Sequence, residues 1–325
     1  MPFSYELLKA SAKEINVPSV GLDFEYAKEL IYGALAVMSE TNLHINPDEL
    51  DIYVHGSYAS NVNIYFPSNL EIVVELKRTL EFDPEIVAQT GYQLFNNYFV
   101  NLGLDFGVAE FRAELFGALS AQLPSKVSES DKAIVVAPHK NLKHTLEITP
   151  AFSFRHVQHE HGRIYHGIVI HDAGVGADIV TFPKLHAFNG HGKDLATNKN
   201  FKSIVRMFKT LNAIGEREFD FPSTRGYFIQ CLLFNVPSDM FVVRDRFLLA
   251  LIEEGEDTGA MLHQIFLKVV NYLTHANLEN FQCQNTVWKL FGNAAEFWSF
   301  PAARAFIRNI KKLYSSFPES RVKLA

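Results

Sequence analysis

The hydrophobic pattern changes character near residue 190, and that change leaves few architectures open. Before it, short runs rich in Ile and Val alternate with helical stretches. Residues 51–55, 70–76, 132–137 and 145–148 read as strands, 166–170 and 179–182 as a further hairpin, and 63–66 as extended chain broken by Pro67-Ser68. Residues 1–45 read as helical, with Phe24, Ala27, Leu30, Ile31, Ala34 and Leu35 at helical spacing, and 85–102 and 111–123 read as helices too. After residue 190 every periodic segment is helical: 201–214, 226–234, 244–254, 259–275, 287–297 and 301–314. The expected class is α+β, a mixed-sheet lobe over residues 1–190 followed by a helical lobe over 191–325.

Composition narrows the function. Hydrophobic residues are 48% of the 325 and charged residues 20%, enough for a substantial core and too apolar for a disordered chain. The 28 Phe residues point to a Phe-rich core rather than an aromatic binding array. A net charge of -6 excludes an overall basic coat for duplex DNA. Only Cys231 and Cys283 are present, which excludes a disulfide framework and a cysteine-based zinc site and fits a reducing cytoplasm. No uncharged apolar run is long enough for a membrane span, and the first residues lack a secretory pattern, so a cytoplasmic protein without membrane contact is expected.

Gly56-Ser57 stands at the end of the first strand, where a turn into a helix presents backbone N–H groups and a hydroxyl to phosphate oxygens. Asn69 and Glu71 are two apart on a strand and share a face. Glu147 lies on a later strand in LEITPAF. An acid-x-acid pair with a third acid from a neighbouring strand is the arrangement that holds two Mg²⁺ ions for phosphoryl transfer, because hard cations take oxygen ligands. Other clusters read as structural. His156, His159 and His161 form a polar hairpin loop rather than a zinc site, and Asp172, Gly174, Gly176 and Asp178 a turn. Arg304, Arg308, Lys311 and Lys312 make a solvated basic stripe. No nucleophile elbow supports a Ser/His/Asp hydrolase.

The stretch GSYASNVNIYFPSNLEIVVEL resembles the GS…D-x-D segment of polymerase-β-like nucleotidyltransferases, and more closely that of the bacterial cGAS/DncV-like enzymes, the CD-NTases. Four further segments agree in order: 111–137, LEITPAFSF, the run from Ile179 to Asn212, and GYFIQCLLFNVPSDMF. The resemblance implies an active-site cleft between the two lobes and an N-terminal helix spanning them. It implies nucleoside triphosphate substrates, a cyclic or linear oligonucleotide product, Mg²⁺ or Mn²⁺, and a role in antiphage defence with a protein partner from a defence operon. Asn69, Glu71 and Glu147 fall on the three catalytic, metal-binding aspartates. Gly56 and Ser57 fall on the triphosphate turn, Lys202, Arg206 and Lys209 on the phosphate-binding helix face, and Tyr227 in the motif S-Y-x-x-E. None of the three aspartates is kept, Asn69 carries no charge, and the last motif reads Gly226-Tyr227-Phe228-Ile229-Gln230. The expectation is a protein that binds nucleotides or oligonucleotides around a single ion, with weak or lost transfer. The alternative is an active two-metal synthase.

Overall fold

The structure, a computed structural model, describes residues 10–14, 18–38, 45–64, 69–82, 106–158, 163–243, 258–292 and 298–316. The chain divides into two compact units. A sheet unit holds Asn16–Ala59 and Pro67–Leu185; a helical unit holds Met1–Ile15, Ser60–Phe66 and His186–Ala325.

In the sheet unit, β1 (Leu50–Val54), β2 (Leu70–Phe82), β3 (Val127–Glu129), β4 (Ile134–Val136), β5 (Leu146–Gln158), β6 (Arg163–Asp172) and β7 (Ala177–Thr181) form one mixed sheet. β2 and β5 run parallel, with Leu70 opposite Leu146 and Glu71 opposite Glu147; the other described pairings are antiparallel. Alternation along the strands sorts the side chains by face. Leu70, Ile72, Val74, Leu146, Ile148 and Phe152 are fully buried on one side. α1 (Pro18–Met38) packs on α3 (Val108–Gln122), which lies on β5 and β6, and the Phe111 and Phe152 rings are 6.1 Å apart. Each such buried side chain contributes about 1.5–3 kcal/mol. The opposite face carries Glu71 and Glu147, then an apolar cluster of Val73, Ala151, Ile168, Ile170 and Ile179.

Both central strands outrun their sequence signal. β5 continues through Pro150 because its outer partner changes there: β4 pairs with residues 146–148 and β6 from Ala151 onward. At that junction the missing proline N–H costs no ladder bond on the outer edge. β3 carries no strand signal of its own and pairs with β4. Residues 62–64 are irregular rather than strand. The expected helices at 85–102 and 244–254, and His159 and His161, lie outside the described residues.

The helical unit is built on α5 (Asn200–Phe219), which contacts α6 (Gly226–Phe234), α7 (Thr258–His275) and α8 (Phe300–Ser315). Ile204, Phe208 and Leu211 of α5 are buried, with the Phe208 ring 4.9 Å from Phe266. Phe201, Phe208, Phe241 and Phe266 are among the largest fully buried side chains, as a Phe-rich core requires. α4 (Pro183–Ala196) has no counterpart in the sequence reading, because Gly190 and Gly192 interrupt its pattern. Gly190 is there for space: a Cβ would stand 2.3 Å from Gln284 Nε2. The helix expected at 287–297 is absent from its described part, 287–292. Asn285 Oδ1 accepts from Val287 and Trp288 N–H, a local turn that competes with helix formation, and bridges join Gln282 to Lys289 and Phe291 to Trp298. Arg304 is no part of a solvated stripe. Its guanidinium donates to the carbonyls of Leu273, Thr274 and Ala276 and closes the end of α7, while Arg308, Lys311 and Lys312 are exposed. No helix among the described residues is long and apolar enough to cross a membrane.

Candidate active site

The parallel pairing of β2 with β5 places Glu71 directly opposite Glu147 on one sheet face. Asn69, one residue before β2, is exposed, and its Nδ2 donates to Glu147 Oε1 at 2.6 Å. β1 delivers the other wall. After His55 the chain turns into the single helical turn α2 (Gly56–Ala59), and Gly56 takes φ +68°. The Ser57 backbone N–H donates to Glu71 Oε2 at 3.1 Å. A Cβ on residue 56 would lie 1.4 Å from that same oxygen, so glycine is required twice over, by conformation and by space. His55 N–H fastens the turn to the Glu71 carbonyl at 2.9 Å. Burial holds the His55 imidazole neutral, its pKa down at about 4, against the opposing pull of the Glu147 carboxylate.

Glu75, two pleats further along β2, is committed elsewhere. It accepts from Ser153 Oγ at 2.6 Å and from Lys184 Nζ at 2.8 Å, and Lys184 also reaches Asp51 at 2.7 Å. Burial works against the Lys184 charge, but these carboxylates outweigh it and hold its pKa above the ordinary lysine value. The candidate set is thus two carboxylates and an amide. Among the described residues no three His, Cys, Asp or Glu side chains are grouped to hold a metal.

In the helical unit the three cations read from one face of α5 part ways. Arg206 is buried; its Nε and Nη2 donate to the Ala12 carbonyl at 2.8 and 2.6 Å and its Nη1 to the Asn61 carbonyl. Its guanidinium is a staple between chain segments, with these donors turned to backbone carbonyls. Lys209 Nζ donates to the Val62 carbonyl at 2.8 Å, and its stem lies against Gly226, where a Cβ would come within 3.0 Å. Lys202 is half-buried. The Tyr227 ring stacks on His186 with centroids 5.0 Å apart, and burial, then the Cys231 and Cys283 thiols, push its hydroxyl pKa up. Gln230 is buried with its Oε1 3.2 Å from His186 Nε2, a packing role. The sheet unit therefore gathers Gly56, Ser57, Asn69, Glu71 and Glu147, and the helical unit gathers Lys209 with the start of α6.

Sequence reasoning missed Asp23 and His144. Asp23 is 2% exposed and accepts from Lys143 N–H, His144 N–H and His144 Nδ1. The available signal was an acid at residue 23 in register with the apolar stripe of Ala27, Leu30, Ile31 and Ala34.

Residues 188–315 match the family model of the cGAS/DncV-like nucleotidyltransferase C-terminal helical domain. A cyclic UMP-AMP synthase of Rhodothermus marinus is 26% identical over 272 residues, covering 82% of this chain and 85% of its own length. The cyclic nucleotide synthase CdnE01 of Staphylococcus haemolyticus is 26% identical over 280 residues, covering 83% and 86%. In fold, the chain is similar to the Rhodothermus marinus CdnE c-UMP-AMP synthase solved with Apcpp and Upnpp, at TM-score 0.73, 24% identity and 98% coverage of both chains. It is also similar to the Elizabethkingia meningoseptica CdnE cyclic dinucleotide synthase solved with GTP and Apcpp, at TM-score 0.70 and 20% identity, covering 96% of this chain and 99% of that one.

Proposed function

We propose that the chain acts as a cGAS/DncV-like nucleotidyltransferase, binding nucleoside triphosphates and joining them into a cyclic or linear oligonucleotide that serves antiviral signalling; the match of residues 188–315 and the cyclic nucleotide synthases among its relatives support this. The observation that carries this is the in-register pairing of Glu71 with Glu147, with Asn69 in hydrogen-bond contact with Glu147. Three oxygen-bearing side chains stand together where the central strands β2 and β5 begin, beside the Gly56–Ser57 turn.

That donor set fits a divalent cation, Mg²⁺ or Mn²⁺: both carboxylates are hard oxygen ligands, and the Asn69 amide offers Oδ1 once it turns over. A bound divalent ion supplies charge neutralisation on phosphate oxygens and a more acidic attacking hydroxyl. The protein's own residues do the remainder. Glu71 and Glu147 hold the charge, and the Gly56–Ser57 turn and its hydroxyl receive the triphosphate. Within the helical unit, Lys202 and Lys209 are the cations suited to phosphate oxygens, and Tyr227 is an aromatic face. Arg206 acts within the helical unit, tying the Ala12 and Asn61 carbonyls to α5.

The short Asn69–Glu147 bond favours a second reading. A neutral amide there leaves two negative charges where a triad of acids would give three, so nucleotide binding outlives turnover. Incubating the protein with the four ribonucleoside triphosphates and Mg²⁺ or Mn²⁺, then resolving products by mass spectrometry, separates the two. Product that disappears in Glu71→Ala establishes the synthase. Saturable nucleotide binding without product establishes the second reading, and neither binding nor product overturns both.

A further inference from the structure

We infer that His144 is a positioning residue for the Gly56–Ala59 turn and for the strand that carries Glu147, held in place by the buried carboxylate of Asp23. The inference rests on the nucleotide-binding reading for its consequence, though not for its geometry.

A carboxylate inside an apolar helix stripe is costly unless donors surround it. Asp23 takes all its described donors from two residues, Lys143 and His144, immediately ahead of β5: Lys143 N–H at 3.2 Å, His144 N–H at 2.9 Å and His144 Nδ1 at 2.6 Å. α1 therefore fixes both the backbone and the ring of His144. That ring meets Tyr58 edge-on, with centroids 5.8 Å apart and planes at 79°. Tyr58 is the residue after Ser57 in α2, and burial, then the Asp23 charge, raise its hydroxyl pKa. On the other side of His144, the Thr145 carbonyl accepts from Leu70 N–H at 2.8 Å, which sets the start of β2 beside Asn69. Two residues beyond Thr145 stands Glu147. One aspartate thus backs a segment that touches the turn, the start of β2 and the strand of the third ligand. A simple loop cap would account for the backbone bonds to Asp23; it would not account for the ring reaching Tyr58.

Three variants separate the contacts. His144→Asn keeps a donor near the Nδ1 position and loses the ring. His144→Phe keeps the ring and loses the bond to Asp23, and His144→Ala loses both. Asp178→Asn, which breaks the 2.7 Å His171–Asp178 pair at the β6–β7 hairpin, is the control for general destabilisation. Amide hydrogen exchange is measured without ligand over residues 56–60 and 145–148, and ATP affinity is measured with MnCl₂. Exchange over 56–60 should rise about three- to tenfold in His144→Asn and His144→Ala, the scale of a lost edge-on aromatic pair, and less in His144→Phe. ATP binding should weaken in the same order, with Asp178→Asn changing neither. Unchanged exchange over 56–60 in His144→Ala overturns the inference, as does an equal rise in Asp178→Asn. If exchange responds while the unmodified protein binds no ATP, the coupling stands and the nucleotide-binding reading falls.

Discussion

Replacing Gly56 by Ala tests how the turn and the carboxylate are built together. Residue 56 sits at φ +68°, and holding an L residue there costs about 1–2 kcal/mol. The added Cβ would lie 1.4 Å from Glu71 Oε2 and 2.4 Å from its carboxyl carbon, so the carboxylate must leave. Its departure breaks the 3.1 Å bond from Ser57 N–H, a charged hydrogen bond of about 1.5–3 kcal/mol, with the lower end apt for a half-buried group. The substitution should therefore cost about 2.5–4 kcal/mol in the natural background and only the conformational part, about 1–2 kcal/mol, in Glu71→Ala. Urea unfolding followed by far-ultraviolet circular dichroism measures both, since Trp288 and Trp298 lie in the helical unit and do not report on this turn. A double-mutant cycle then isolates a coupling of about 1.5–2 kcal/mol. Equal costs in the two backgrounds would refute the close packing of Glu71 on Gly56.

Arg206→Met should destabilise the protein by about 2–4 kcal/mol in urea, because the Ala12 and Asn61 carbonyls lose their donor, whereas Lys202→Ala should stay within about 0.5 kcal/mol. Gly190→Ala should cost about 1–3 kcal/mol by driving Gln284 aside, and Gln284→Ala should relieve most of it in the double variant. Burial brings the Lys193 ammonium down to about 8, so the unfolded chain binds more protons than the fold above that point; stability should rise between about pH 8 and 10.5, and a Lys193→Met variant measured in parallel should lack that increment.

The strands that carry Glu71 and Glu147 were legible because each is a dense run of Ile, Val and Leu with an acid at the alternate position. Their parallel register was not legible, since pairing between residues 71 and 147 is set by the whole sheet rather than by either segment. Arg206 reads from sequence as one of three cations on an amphipathic helix. Its burial follows from the carbonyls of residues 12 and 61, which are distant in sequence and carry no pattern of their own. Asp23 left a mark, an acid in an apolar stripe, but its partner at residue 144 could not be named without the fold. The helix expected at 287–297 fails over its described part, 287–292, for a local reason: the apolar spacing suits a helix, while Asn285 ties the following amides into a turn.

The central claim is that Glu71 and Glu147, with Asn69, form a cation site that serves a nucleoside triphosphate. Electron paramagnetic resonance of Mn²⁺ titrated into the protein, with and without a non-hydrolysable ATP analogue, tests it most directly. A saturable bound ion per chain is expected whose affinity rises when the analogue is present, as reciprocal linkage requires, and Asn69→Asp should tighten it. Glu147→Ala and Glu71→Ala should each abolish that ion. Mn²⁺ binding that is indifferent to the analogue and survives both substitutions would contradict the claim.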